Sequence, residues 1–214
     1  MGKLFSQDSP VIRFLWKMAD LIVLNLVWIV CCIPVVTIGP ATTAMYCVAR
    51  RIAKGEWPAI LKTFFGEFRA NFRQSLLAFL CLLIPAGLAV IYLVLSVTGA
   101  LDRLELIKYF AYLATGIVGG ICTYTYPLLA RFDNTLGNTL RNAILLPLAN
   151  PILALAATIL NLLPVIIMLL DLQLFVTVSF FWLAIGFSLT ALANTRLLGL
   201  VFDRFAPQAP AEED

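Results

Sequence analysis

The sequence predicts an all-α, polytopic integral membrane protein, a bundle of about six helices, and three observations carry that prediction. The 214 residues are 62% hydrophobic and 13% charged, without a single histidine, which is too apolar for a soluble globule of ordinary composition. Charge-free runs stretch from Leu21 to Ala49, Gln74 to Leu101, Tyr109 to Ala130, Asn142 to Leu170 and Leu172 to Thr195. Each reaches or exceeds the roughly 20 residues that cross about 30 Å of hydrocarbon as a helix. The basic residues are scattered along the edges of these runs, the pattern of membrane loops rather than of a nucleic-acid surface.

The first element is a helix over about 10–33. Its lead-in, "MGKLFSQDSPVIRFLWKMADLIV", lacks the compact apolar core and cleavage site of a secretory signal, so it is expected to be retained. "MGKLFS" fits the myristoylation pattern, but so short a pattern matches often by chance, and a multi-span chain gains little from an acyl anchor. Leu21 to Ala49 is 29 residues, about 43 Å as one helix, longer than one span needs. Its middle, "IPVVTIGP", holds the breakers Pro34, Gly39 and Pro40. Each proline biases the residue before it away from helical angles, and the β-branched Val35 to Ile38 favour extended backbone. The first helix therefore stops near Ile33, Val35 to Gly39 run extended, and Pro40 opens a second helix over about 40–53, where its missing N–H costs nothing. About 14 residues give only about 21 Å, so this second helix is expected to half-span if it does not cross fully.

Four further helices follow over about 75–98, 107–130, 142–169 and 173–198. If the first run crosses once, lysine and arginine divide ten against five between the two sides; if it crosses and returns, thirteen against two. The positive-inside rule prefers the second arrangement, with both termini cytoplasmic. Before the third span, "ILKTFFGEFRANFRQ" places Phe64, Phe65, Phe68 and Phe72 at helical spacing, with Arg69 and Arg73 on other positions. This predicts a cytoplasmic amphipathic segment over 60–73 that meets lipid headgroups or docks a partner protein. Residues 1–206 then form a single transmembrane domain, with 207–214 a short disordered tail. "FRQSLLAFLCLLIP" from Phe72 and "LRNAILLPLANPIL" from Leu140 share an order of polarity that hints at an internal repeat.

Chemistry is scarce. Five cysteines, Cys31, Cys32, Cys47, Cys81 and Cys122, all fall in apolar runs without C-x-x-C spacing, so packing is expected and neither a disulfide framework nor a metal site. There is no nucleotide loop, zinc-protease motif or nucleophile elbow, and no cofactor is expected. Asp20 sits one turn from Lys17 and Asp171 lies in the turn "LLDLQLF", neither placed as a mid-membrane proton carrier. The uncharged polar residues, among them Asn25, Tyr126, Asn161 and Asn194, are expected to join helices by hydrogen bonds. One cluster is a candidate ligand site: Thr37, Thr42, Thr43 and Tyr46 in "TIGPATTAMY" surround a helix start inside the membrane domain, where they meet a ligand or cap the broken backbone.

"DLIVLNLVWIVCCIPVVTIGPATTAMY", then "KGE" and "FRANFRQS", resembles the YesL family of bacterial membrane proteins over Ser9 to Ser75, with "KGE" in place of the family's commoner arginine form. The resemblance implies a multi-pass protein of the bacterial cytoplasmic membrane, associated with carbohydrate ABC importers. It carries no catalytic residues. The leading expectation is thus a non-enzymatic accessory subunit whose expected partners are the lipid bilayer, an importer permease and a second copy of itself. The alternative is a small transporter or channel with its path at the broken pair 34–46; an enzyme acting on lipid or on a lipid-linked sugar ranks third for want of acid–base residues.

Overall fold

The computed structural model describes residues 10–56, 58–99 and 105–205. The expected tail over 207–214 lies outside these residues. Within them the chain is all-α: α1 Pro10–Cys32, α2 Ile38–Ala53, α3 Ile60–Val97, α4 Glu105–Arg131, α5 Leu136–Ala149, α6 Pro151–Leu170, α7 Leu172–Phe181 and α8 Phe187–Phe205. A single 3-10 turn, Val35–Thr37, precedes α2, and a π turn, Trp182–Gly186, joins α7 to α8 without ending the helix. Among the described residues five stretches are long and apolar enough to cross a membrane: Phe14–Cys32, Ile60–Ser96, Tyr112–Arg131, Pro151–Met168 and Leu172–Arg204. Their outer faces agree, because Ile152 and Leu170 are more than 80% exposed and Ile84, Leu148 and Phe180 more than 70%. An apolar surface of that extent matches a lipid surround.

The first break differs from the extended strap expected over Val35 to Gly39. The Thr37 N–H donates to the Pro34 carbonyl at 3.0 Å, and the Thr37 hydroxyl is shared between the Cys31 and Pro34 carbonyls, each 2.6 Å away. These bonds wind the segment into one tight turn, which satisfies carbonyls that lipid would leave bare. The helix then starts at Ile38, two residues early. Pro40 falls at its third position, still inside the first turn where N–H groups have no intrahelical partner.

Helix α2 is the hub of the fold. Gly39, Ala41, Ala44, Val48 and Ala49 are buried, and these small residues let neighbouring backbones approach closely. A Cβ on Gly39 would lie 2.6 Å from the Ser75 carbonyl oxygen and 2.7 Å from Phe79 Cβ. Thr43 extends this seam by accepting from the Ser75 hydroxyl at 2.8 Å and donating to the Gly39 carbonyl at 3.2 Å. At its other end Arg51 pairs with Glu67 at 2.6 Å, so α2 runs antiparallel to the first half of α3. From Phe79, α3 continues to Val97, about 27 Å further by helical rise. With 16 residues, α2 therefore starts well short of the far end of α3 and is a half-length helix.

Three more boundaries depart from expectation. The amphipathic segment 60–73 is not a separate helix but the first third of α3, because nothing between Phe72 and Ser75 interrupts the helix. The expected single helix over 142–169 divides into α5 and α6 at Asn150, whose φ of −138° and ψ of 67° leave the helical region. Pro151 excludes Asn150 from helical angles and then opens α6 as its first residue. The last helix runs on to Phe205. Asp171, in the expected turn, caps α7 by accepting from the Gln173 and Leu174 N–H groups at 2.8 and 3.1 Å.

Candidate functional site

Helix periodicity sorts the residues of "TTAMY" before any ligand is considered. Thr43 turns toward Ser75 of α3, whereas Thr42 and Tyr46, four residues apart, share the neighbouring face. That face looks into a cavity of about 330 Å³ between α2, α3, α4 and α6. Thr115, Thr123, Tyr126 and Asn161 add polar groups to its wall, and Ala89, Val118 and Leu162 are among its apolar lining. No charged residue lines it.

A chain of hydrogen bonds runs along one side of this cavity. The Asn194 amide donates to Tyr46 Oη at 3.4 Å and to Asn161 Oδ1 at 2.8 Å, and the Asn161 amide donates to Thr123 Oγ1 at 3.0 Å. Trp28 Nε1 donates to Thr42 Oγ1 at 3.2 Å. Thr42, Tyr46 and Thr123 therefore accept, and the hydroxyl hydrogen of each has no acceptor among the described residues. The Tyr126 hydroxyl bonds to no described residue, and Asn194 Oδ1 is buried without a partner. The wall thus offers hydroxyl donors in an uncharged, partly apolar space, the setting for a neutral ligand rich in oxygen acceptors.

The sequence-derived candidates separate accordingly. Thr37 caps the break and Thr43 stitches α2 to α3, while Thr42 and Tyr46 reach the cavity. Phe64 is fully buried against α2, which corrects its expected place on an open docking face: α2, too short to line a full span, covers it. Phe65 and Phe72 remain exposed beside the exposed Arg69 and Arg73, with Phe68 partly covered. Thr115, Thr123 and Ser188 were not singled out by the sequence, since a lone hydroxyl in an apolar run carries no local signal. Among the described residues no group of three or more Cys, Asp or Glu gathers as a metal site.

A second polar centre ties α1 to the π turn. The Asn25 amide donates to the Trp182 and Leu183 carbonyls at 3.1 and 2.7 Å, and its oxygen accepts from the Ser188 N–H at 3.0 Å. The Ser188 hydroxyl returns a bond to the Leu21 carbonyl at 2.8 Å.

Residues 21–96 match the model of a protein family of unknown function, DUF624. The match takes in most of α1, the break, α2 and nearly all of α3, and hence Thr42 and Tyr46 but none of the α4 and α6 walls of the cavity. No curated protein and no solved structure matches the chain.

Proposed function

We propose that the protein is a non-enzymatic accessory subunit of the bacterial cytoplasmic membrane, associated with an ABC importer for oligosaccharides. The observation that carries the reading is the free face at the start of α3, where Phe65, Arg69, Phe72 and Arg73 are exposed although the same helix is anchored through Phe64. A fixed helix with an aromatic and cationic outer face suits a contact with a permease or with lipid headgroups. The uncharged cavity supports a binding role over a catalytic one. The importer association rests on the resemblance of Ser9 to Ser75 to the YesL family. Purification in mild detergent from cells growing on a polysaccharide tests it: an importer permease should co-purify, and its loss on Phe65→Ala/Phe72→Ala should follow. Recovery of the homo-oligomer alone would overturn the reading.

The cavity beside the break favours a second reading, a small transporter or channel whose path passes Thr42 and Tyr46. Liposomes containing this protein alone separate the two, because an accessory subunit moves no oligosaccharide by itself.

A further inference from the structure

At one end of the bundle α2, α4 and α8 enclose a second pocket, of about 370 Å³. Arg50 and Lys54 reach it from the end of α2, Arg131 from the end of α4 and Arg196 from α8. Asp203 is the one carboxylate in its wall and pairs with Arg131. The Arg131 guanidinium also lies over the Phe132 and Phe202 rings, 5.5 and 5.6 Å from their centroids. Three cations are left over. The side chains of Arg50, Lys54 and Arg196 make no ion pair or hydrogen bond with the described residues, and Arg50 Nε is buried without a partner. A concave site with this excess of positive charge concentrates anions, and guanidinium forks beside an ammonium match the oxygens of phosphate.

We propose that this pocket binds a phosphate group, held by Arg50, Lys54 and Arg196. The wall is half apolar: Leu200, 57% exposed, stands next to the cations on the outer face of α8. An anionic phospholipid fits such a site with its headgroup inside and an acyl chain along Leu200, the arrangement of basic pockets between membrane helices. A soluble phosphate would use the same donors without Leu200. Neither source depends on the importer reading above.

The full-length protein in neutral detergent is titrated with phosphatidylglycerol and with phosphatidylcholine, read by native mass spectrometry, and separately with inorganic phosphate, read by calorimetry. Phosphatidylglycerol should bind in preference to phosphatidylcholine. Lys54→Gln and Arg196→Gln should each weaken it about fivefold, whereas Arg69→Gln and Arg73→Gln, outside the pocket, should not. Asp203→Asn frees Arg131 and should tighten binding, a gain that misfolding cannot produce. Inorganic phosphate binding with the same order of variants, and no preference between the lipids, would assign the site to a soluble phosphate. Equal retention of phosphatidylglycerol by the wild type and the Lys54→Gln/Arg196→Gln protein, with no phosphate binding, would overturn the proposal.

Discussion

Two breaks interrupt the helices packed on α1, and they are made in opposite ways. The break before α2 is local: Pro34 ends the regular hydrogen bonding, and Thr37 closes the turn on Cys31 and Pro34, six and three residues away. The π turn between α7 and α8 contains no proline, and its spare carbonyls are met by Asn25, more than 150 residues distant. Helix α1 attends to both, through Trp28 at Thr42 and Asn25 at Trp182. A break written in its own residues should survive the loss of distant contacts. A break held from across the bundle should not.

The largest expected effect therefore falls on Asn25. Asn25→Leu removes three bonds and leaves the Ser188 N–H and two carbonyls unmet in an apolar core, at about 3 kcal/mol. The midpoint of unfolding in mixed micelles checks it, and a loss under about 1 kcal/mol would show that the π turn stands on its own bonds. Next comes Gly39→Ala, which drives a methyl into the Ser75 carbonyl and Phe79 Cβ. Because both obstacles are main chain or next to it, α2 and α3 must part, at about 2 kcal/mol. The same assay should show Ser75→Ala costing less than Gly39→Ala, since the hydroxyl bond to Thr43 adds little beside the contact.

This contrast also explains what could be read without a structure. The membrane bundle was legible because lipid demands long charge-free helices, and the break at Pro34 to Pro40 was legible because prolines act on their immediate neighbours. The half-length of α2 followed from its short run. The π turn was not legible, since "WLAIG" is an ordinary helical pentapeptide until Asn25 reaches it. Thr42 and Tyr46 were visible as candidates, but their cavity was not, because Thr123 and Asn161 join it only through the packing of α4 on α2 and of α6 on α4 and α8. The basic pocket was missed for a related reason. Arg50, Arg131 and Arg196 each look like the routine end of a span, and only the bundle brings them together.

A smaller effect is expected at Gly186, where a Cβ would lie 2.7 Å from the Trp182 indole. The obstacle is a side chain of the same helix, so Gly186→Ala should cost about 1 kcal/mol. If the indole swings away, its fluorescence should shift while Asn25 still holds the turn; an equal loss in an Asn25→Leu background would show that the two act independently.

The smallest effect should come from the most conspicuous breaker. Pro40 sits at the third position of α2, where an N–H has no intrahelical acceptor, so alanine there gains no helical bond and loses mainly the proline's restriction of the unfolded chain. Pro40→Ala should therefore cost less than about 1 kcal/mol, and the turn should persist because Thr37 and the Gly39 contact with Ser75 still fix where α2 begins. Spin labels at Trp28 and Thr63, on α1 and α3, should keep their separation in the variant. A loss above about 2 kcal/mol, or a lengthened distance, would mean that Pro40 itself, rather than the bonds around Thr37, bends the chain at this point.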